Sequence, residues 1–248
     1  MRYPGGKGGA GVYQKIINLI PPHRVYVEAF AGGGNIFERK RPAASSILVE
    51  RDPAVARLWR ERAPAATVVE GDALQWLAAR DWSGDEFVYL DPPYVLGTRT
   101  KQKIYQFEMS DADHLELVSL LAAMSDRGVR WMLSGYRNAI YDEAARAHGW
   151  RREDFQAMTR GGLRTESLWM NYEAPAAIAD YSYVGSNFRE RERIKRKVAR
   201  WKQRLQQLDS LERAALLAAM AEIGVDPTVG NGEDRAPSIL SMVDRGTV

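Results

Sequence analysis

The sequence contains no cysteine and only three histidines, His23, His114 and His148. Without cysteine there are no disulfides, no thiolate zinc sites and no thiolate nucleophile. The histidines lie far apart without ligand spacing, so no metal site is expected. No apolar run approaches the length needed to cross a bilayer, so no membrane partner is expected. No secretory leader precedes the first motif, and the expected location is cytoplasmic.

At 248 residues, the chain suits one large α/β domain, or one domain with a small appendage. A net charge of +3 is weak evidence for a polyanionic partner by itself. The distribution is more informative. Between Arg189 and Arg204 nine basic residues face only Glu190 and Glu192.

Hydrophobic periodicity predicts alternating strands and helices. Val12, Ile16, Leu19 and Ile20 share one helical face, and Pro21-Pro22 stops that helix. Strands are expected at 24–30, 47–50, 67–70, 87–90 and 129–133, with helices after each of the first three and at 115–124 and 139–147. A closing antiparallel pair is expected at 155–158 and 167–172. This order predicts a mostly parallel, doubly wound, Rossmann-like sheet with a closing antiparallel strand and C-terminal helices. Ile194, Val198, Trp201, Leu205 and Leu208 form the stripe of a long amphipathic helix. Asp209 is positioned to cap a second helix that Gly224 would end. The expected divisions are a catalytic domain at 1–180, a basic helical extension at 181–224 and a loop or mobile tail at 225–248.

Three elements carry candidate chemistry. Phe30-Ala31-Gly32-Gly33-Gly34 follows a strand, and its glycines permit close approach to a ligand. Glu50 and Asp72 end the next two strands, where an open α/β sheet binds ligands. These residues suit a nucleoside pocket; equally, the glycines can form an ordinary turn and the acids can cap helices. The second element is Asp91-Pro92-Pro93-Tyr94 at the end of the fourth strand. Two prolines remove backbone donors and stiffen the loop. The Asp91 carboxylate and the Pro92 carbonyl can then hold both N–H bonds of an exocyclic amine, while Tyr94 stacks on a base. The alternative is a proline turn with a surface tyrosine. The third element is Arg2-Tyr3-Pro4-Gly5-Gly6-Lys7, too short for a P-loop, whose lysine can meet a carboxylate or phosphate. Its alternative is a frayed terminus.

Taken in order, these elements resemble the Dam-like D12 class of adenine-N6 DNA methyltransferases over roughly residues 2 to 172. The resemblance implies S-adenosylmethionine as cofactor and double-stranded DNA as substrate, with methyl transfer to N6 of a flipped adenine. It places Tyr3, Lys7 and Asp91 in contact with the cofactor. Phe30, Ala31, Gly32, Gly33 and Gly34 would lie beneath its methionine part, Glu50 on its ribose and Asp72 near its adenine. Asp91, Pro92, Pro93 and Tyr94 would grip the target adenine, and Arg2 would reach DNA. The class is associated with DNA modification, including restriction-modification.

Two departures stand out. Only eighteen residues separate Asp72 from Asp91, leaving no room for the family's usual recognition insert. Glu50 also stands where Asp is more usual. DNA contact is therefore expected from Arg99, Lys101 and Lys103 in the stretch 95–110, from Arg164 within 160–164, and from Arg189, Arg193 and Lys197 on the basic helix. That helix can instead be a solvated face or pair helices between subunits, and the 160–164 segment can be a plain hairpin loop. A monomer or weak dimer is expected. Open alternatives are an RNA adenine or protein amide methyltransferase and an inactive DNA-binding relic. Asp91 favours adenine over an amide, which is associated with Asn at that position.

Overall fold

The computed structural model describes residues 6–99, 105–159 and 162–222. Arg2, Tyr3, Lys101, Lys103, Arg160, Gly161, Gly224 and the tail 225–248 lie outside the described residues. The chain divides into two compact units, Met1–Gln203 and Arg204–Val248.

The first unit is built on seven strands: β1 Val25–Glu28, β2 Ser45–Glu50, β3 Thr67–Glu70, β4 Glu86–Leu90, β5 Arg130–Gly135, β6 Arg151–Thr159 and β7 Gly162–Met170. Their order is β3-β2-β1-β4-β5-β7-β6. All pairings among the first five strands are parallel, and β7 runs antiparallel to both β5 and β6. This is the expected doubly wound, Rossmann-like sheet with its closing strand. The strand order reverses between β1 and β4, so a crevice opens beyond their carboxyl ends.

The helices of this unit are α1 Val12–Ile17, α2 Asn35–Arg39, α3 Pro53–Arg62, α4 Ala73–Ala79, α5 Asp111–Asp126 and α6 Ala139–His148. Helix α7, Phe188–Gln207, crosses the boundary between the units, and α8, Ser210–Glu222, belongs to the second. Among the described residues no helix is long and apolar enough to cross a membrane.

The central strands β1, β2, β4 and β5 are buried almost throughout, because helices cover both faces of a parallel sheet. One face packs Val27, Val49, Val88, Leu90 and Leu133 against α4, α5 and α6. The other packs Tyr26, Phe87, Tyr89 and Met132 against α1. Helix starts follow their caps. Asp52 accepts from the Ala54 amide with Pro53 at the first helical position, and Ser110 and Asp113 exchange bonds at the start of α5. Gly149 ends α6 in the left-handed region.

The closing pair differs in extent from the expected one. Strand β7 begins at Gly162 and stops at Met170 rather than running from Ser167 to Tyr172. Its polar first half is held by the ladder to β6, not by apolar alternation. It stops because the Asn171 side chain accepts from the Trp131 amide and donates to the Val129 carbonyl, replacing the next rungs.

Candidate active site

The loop after β1 forms the floor of the crevice. Gly32 and Gly34 have φ of 43° and 56°, which glycine adopts without steric cost. At Gly34 an added Cβ would lie 2.2 Å from the Trp59 ring, so that position also lacks space for a side chain. The Trp59 indole N–H donates to the Gly32 carbonyl at 2.9 Å and ties the loop to α3.

Glu50 ends β2. Its carboxylate accepts from the Gly32 amide at 2.7 Å and from the Asp52 amide at 2.8 Å. Burial pushes its pKa up, while these amide donors hold it back. Asp72 caps α4 through the Leu74 and Gln75 amides and faces Arg51 at 3.3 Å. Arg51 also stacks over Phe107, 4.9 Å from the ring centroid. An open cavity of about 770 Å³ is lined by Phe30, Glu50, Asp72, Asp91 and Phe107, among others. Its concave shape, aromatic walls and few convergent polar groups are those of a small-molecule site. A smaller cavity of about 340 Å³ adjoins it, lined by Lys7, Glu28, Gly33, Gly34 and Tyr89 among others, with Phe30, Gly32, Asp91 and Tyr105 common to both.

Asp91 follows β4 directly. Lys7 Nζ donates to its two carboxylate oxygens at 2.7 and 2.8 Å, and the Ser134 hydroxyl donates to Oδ1 at 3.0 Å. Burial works to lower the Lys7 pKa, but Asp91 and Glu166 outweigh it and leave the pKa raised, so the ammonium stays charged. The Tyr94 ring meets Lys7 Nζ at 4.9 Å from its centroid and Tyr136 edge-on at 4.8 Å. Its hydroxyl donates to Glu166 Oε2 at 2.6 Å. Burial, then Asp91 and Glu166, push the Tyr94 pKa well above the tyrosine range, so it is a neutral donor.

The crevice thus brings together Lys7, Phe30, Gly32, Glu50, Asp72, Asp91 and Pro93, with Tyr94 alongside. Pro92 is buried within the same corner. Other expected residues stand elsewhere. Arg99 is engaged by Glu108 at 2.6 Å, and only 4% of its side chain is exposed, so it is held by that carboxylate rather than facing outward. Arg164 lies on the β6–β7 hairpin opposite Ala157. Arg189, Arg193 and Lys197 lie on α7, which buries none of its residues.

Four participants escaped the sequence reading. Ser134 sits at the carboxyl end of β5, a position that could have flagged it. Arg51 follows β2 and could have been flagged in the same way. Tyr136 and Glu166 carry no local signal. Glu28, though part of the quoted motif, had no assigned role; it accepts from the Tyr26 hydroxyl at 2.8 Å and the Phe37 amide at 3.0 Å.

The doubly wound sheet brings the glycine floor, the acidic strand end and the Asp-Pro-Pro-Tyr corner to its switch point, the arrangement expected of a Rossmann-like site for S-adenosylmethionine. The donor set fits that cofactor. Glu50 offers a fixed carboxylate for ribose hydroxyls, and Phe30 and Phe107 offer apolar walls. Residues 50–160, which include the Asp-Pro-Pro-Tyr corner, match the family model for D12 class N6 adenine-specific DNA methyltransferase.

Solved structures similar to the chain include precorrin 8w decarboxylase from Methanobacterium thermoautotrophicum, at TM-score 0.42 and 15% identity, covering 68% of this chain and 92% of that one. The N-terminal domain of human METTL16 in complex with SAH matches at TM-score 0.41 and 14% identity, covering 61% and 63% of the two chains. TYW2 of P. horikoshii in complex with MeSAdo matches at TM-score 0.42 and 13% identity, covering 68% and 64%. No curated protein matched the chain.

Proposed function

We propose that the chain transfers a methyl group from S-adenosylmethionine directly to N6 of an adenine in double-stranded DNA, acting inside the cell at specific sites. The observation that carries this reading is the Asp91 carboxylate, held by Lys7 and Ser134 at the switch point of the sheet, within the stretch that matches the adenine-specific family.

When bound, the cofactor supplies an electrophilic methyl group on a sulfonium. The chain's own residues do the rest. Asp91 and the Pro92 carbonyl accept the two N–H bonds of the target amine, which turns the nitrogen lone pair toward the methyl carbon. Lys7 and Ser134 fix the Asp91 carboxylate so that little reorganisation remains for the reaction. As the new N–C bond forms and the methyl–sulfur bond breaks, leaving a neutral thioether, positive charge would grow on the amine facing Asp91, and the nitrogen would then shed one proton to water. Tyr94 packs on the base, a contact worth roughly 1–3 kcal/mol. The target leaves the duplex stack to reach this corner. No covalent enzyme intermediate is needed, which suits a chain without cysteine.

The helical extension at 181–224 is the proposed seat of DNA contact, through Arg189, Arg193 and Lys197, with Arg164 as a further phosphate contact. Their charge complements a polyanion.

The test is labelled methyl transfer to duplex DNA, RNA and protein, with nucleoside analysis of the product. N6-methyladenine from duplex DNA is expected. Label found only in RNA or in a protein amide overturns the DNA reading, and no transfer to any of them overturns the enzyme.

A further inference from the structure

Glu166 is a buried carboxylate for which the methyl-transfer mechanism above has no use. It is 6% exposed and lies on β7 opposite Phe155. The next residue, Ser167, pairs with Gly135, the last residue of β5. Glu166 is therefore the first β7 residue beyond the end of β5, on the carboxyl edge of the sheet that also carries Asp91. Tyr136 follows Gly135 at the same edge.

The Tyr94 hydroxyl donates to Glu166 at 2.6 Å, a short bond; burial pushes the Glu166 pKa up, while Lys7 and this hydrogen bond hold it back. The Tyr94 hydroxyl is itself buried, so it needs a protein acceptor, and Glu166 is that acceptor. Burying a carboxylate is costly, so its presence calls for a gain elsewhere. The gain is geometric. Tyr94 has Lys7 over its ring, Tyr136 edge-on and Glu166 on its hydroxyl, so its ring plane is determined from three sides. Burial works to lower the Lys7 pKa, and Asp91 and Glu166 both raise it.

We propose that Glu166 is a positioning residue for the methyl-transfer site: by accepting the Tyr94 hydroxyl, it fixes the ring against which the substrate base is held. This rests on the functional reading above. Glu166 does not touch the reacting atoms and acts through Tyr94.

The experiment compares wild type, Glu166→Ala, Glu166→Gln, Tyr94→Phe and the double variant Tyr94→Phe/Glu166→Ala. Steady-state transfer to duplex DNA is measured alongside calorimetric titration with S-adenosylhomocysteine. Glu166→Ala is expected to raise KM for DNA about tenfold or more, with a smaller change in kcat and unchanged binding of S-adenosylhomocysteine. Glu166→Gln retains an acceptor and should recover most of that loss. Because the two residues act through one bond, the double variant should lose less than the product of the single losses. Wild-type KM and kcat in Glu166→Ala overturn the proposal. So do multiplicative losses in the double variant, or an equal loss of cofactor binding, which would mark a purely structural group. If Glu166→Ala fails to fold, Glu166→Gln and Tyr94→Phe decide: a near-normal KM in the first with a raised KM in the second supports positioning, and any other pairing overturns it. A wild-type protein that methylates no DNA instead sinks the functional reading, an outcome distinct from an active wild type indifferent to Glu166.

Discussion

The Lys7 ammonium and the Asp91 carboxylate, 84 positions apart in sequence, meet through two hydrogen bonds of 2.7 and 2.8 Å. The pair spends its attraction on holding one carboxylate still at the carboxyl edge of β4. Removing the acid should therefore cost chemistry more than cofactor affinity. Asp91→Ala is expected to lower kcat by a factor on the order of 10² to 10³, the usual cost of losing one preorganised electrostatic partner. Titration with S-adenosylhomocysteine should stay close to wild type. Full activity in this variant would refute the role assigned to Asp91.

Gly34 combines a left-handed backbone with a tryptophan ring where a side chain would go. Gly34→Ala should destabilise the protein by about 2–3 kcal/mol, from overpacking and backbone strain together. Because the same loop lines both cavities, affinity for S-adenosylhomocysteine should fall as well. Thermal unfolding and titration check this. A wild-type melting temperature would show that the loop has room the structure does not show.

Glu28 is pushed up to about 8, chiefly by burial, with Asp91 adding to the rise and the Tyr26 hydroxyl and Phe37 amide opposing it. An unfolded glutamate titrates near 4.5. Between those values the native state keeps a proton that the unfolded chain has released. The contribution of Glu28 to stability is thus fully present below the unfolded value and is lost as pH rises through about 8. Glu28→Gln cannot lose that proton. Its unfolding free energy should fall less than that of wild type between mildly acidic and mildly alkaline pH, as read by urea titrations at several pH values. Parallel curves for the two proteins would contradict a neutral Glu28.

Helix α7 carries its basic residues without burying any of them. If Arg189, Arg193 and Lys197 meet phosphates, replacing all three with alanine should weaken DNA binding at every sequence. The slope of log affinity against log salt should drop by about 0.9 for each phosphate that is no longer neutralised. Fluorescence anisotropy across a salt series measures it. An unchanged slope would make α7 a solvated face.

Much of the scaffold was legible because its signals are local. The apolar run before Asp91 marked β4, and the alternation of strand and helix patterns marked the parallel strands. The buried strands were recognisable because a parallel sheet covered on both faces needs near-continuous apolar runs. The limits of β7 were not legible. They depend on a ladder to β6 and on an asparagine side chain that replaces the next rungs, and neither leaves a periodic trace. Arg99 reads as an exposed cation in a basic stretch; only the fold shows Glu108 closing on it.

The sequence alone determined the stiff Asp-Pro-Pro-Tyr corner, the conformational freedom of the glycine run and the alternation that produces a doubly wound sheet. Each of these follows from dihedral freedom, missing donors or side-chain spacing within a few residues. Tertiary structure alone decided which groups share the crevice: Lys7 with Asp91, Ser134 with Asp91, and Glu166 with Tyr94. Those partners come from different strands and loops, and their meeting depends on strand order and register. Long-range geometry of that kind is set by how whole layers pack, so no short stretch of chain encodes it.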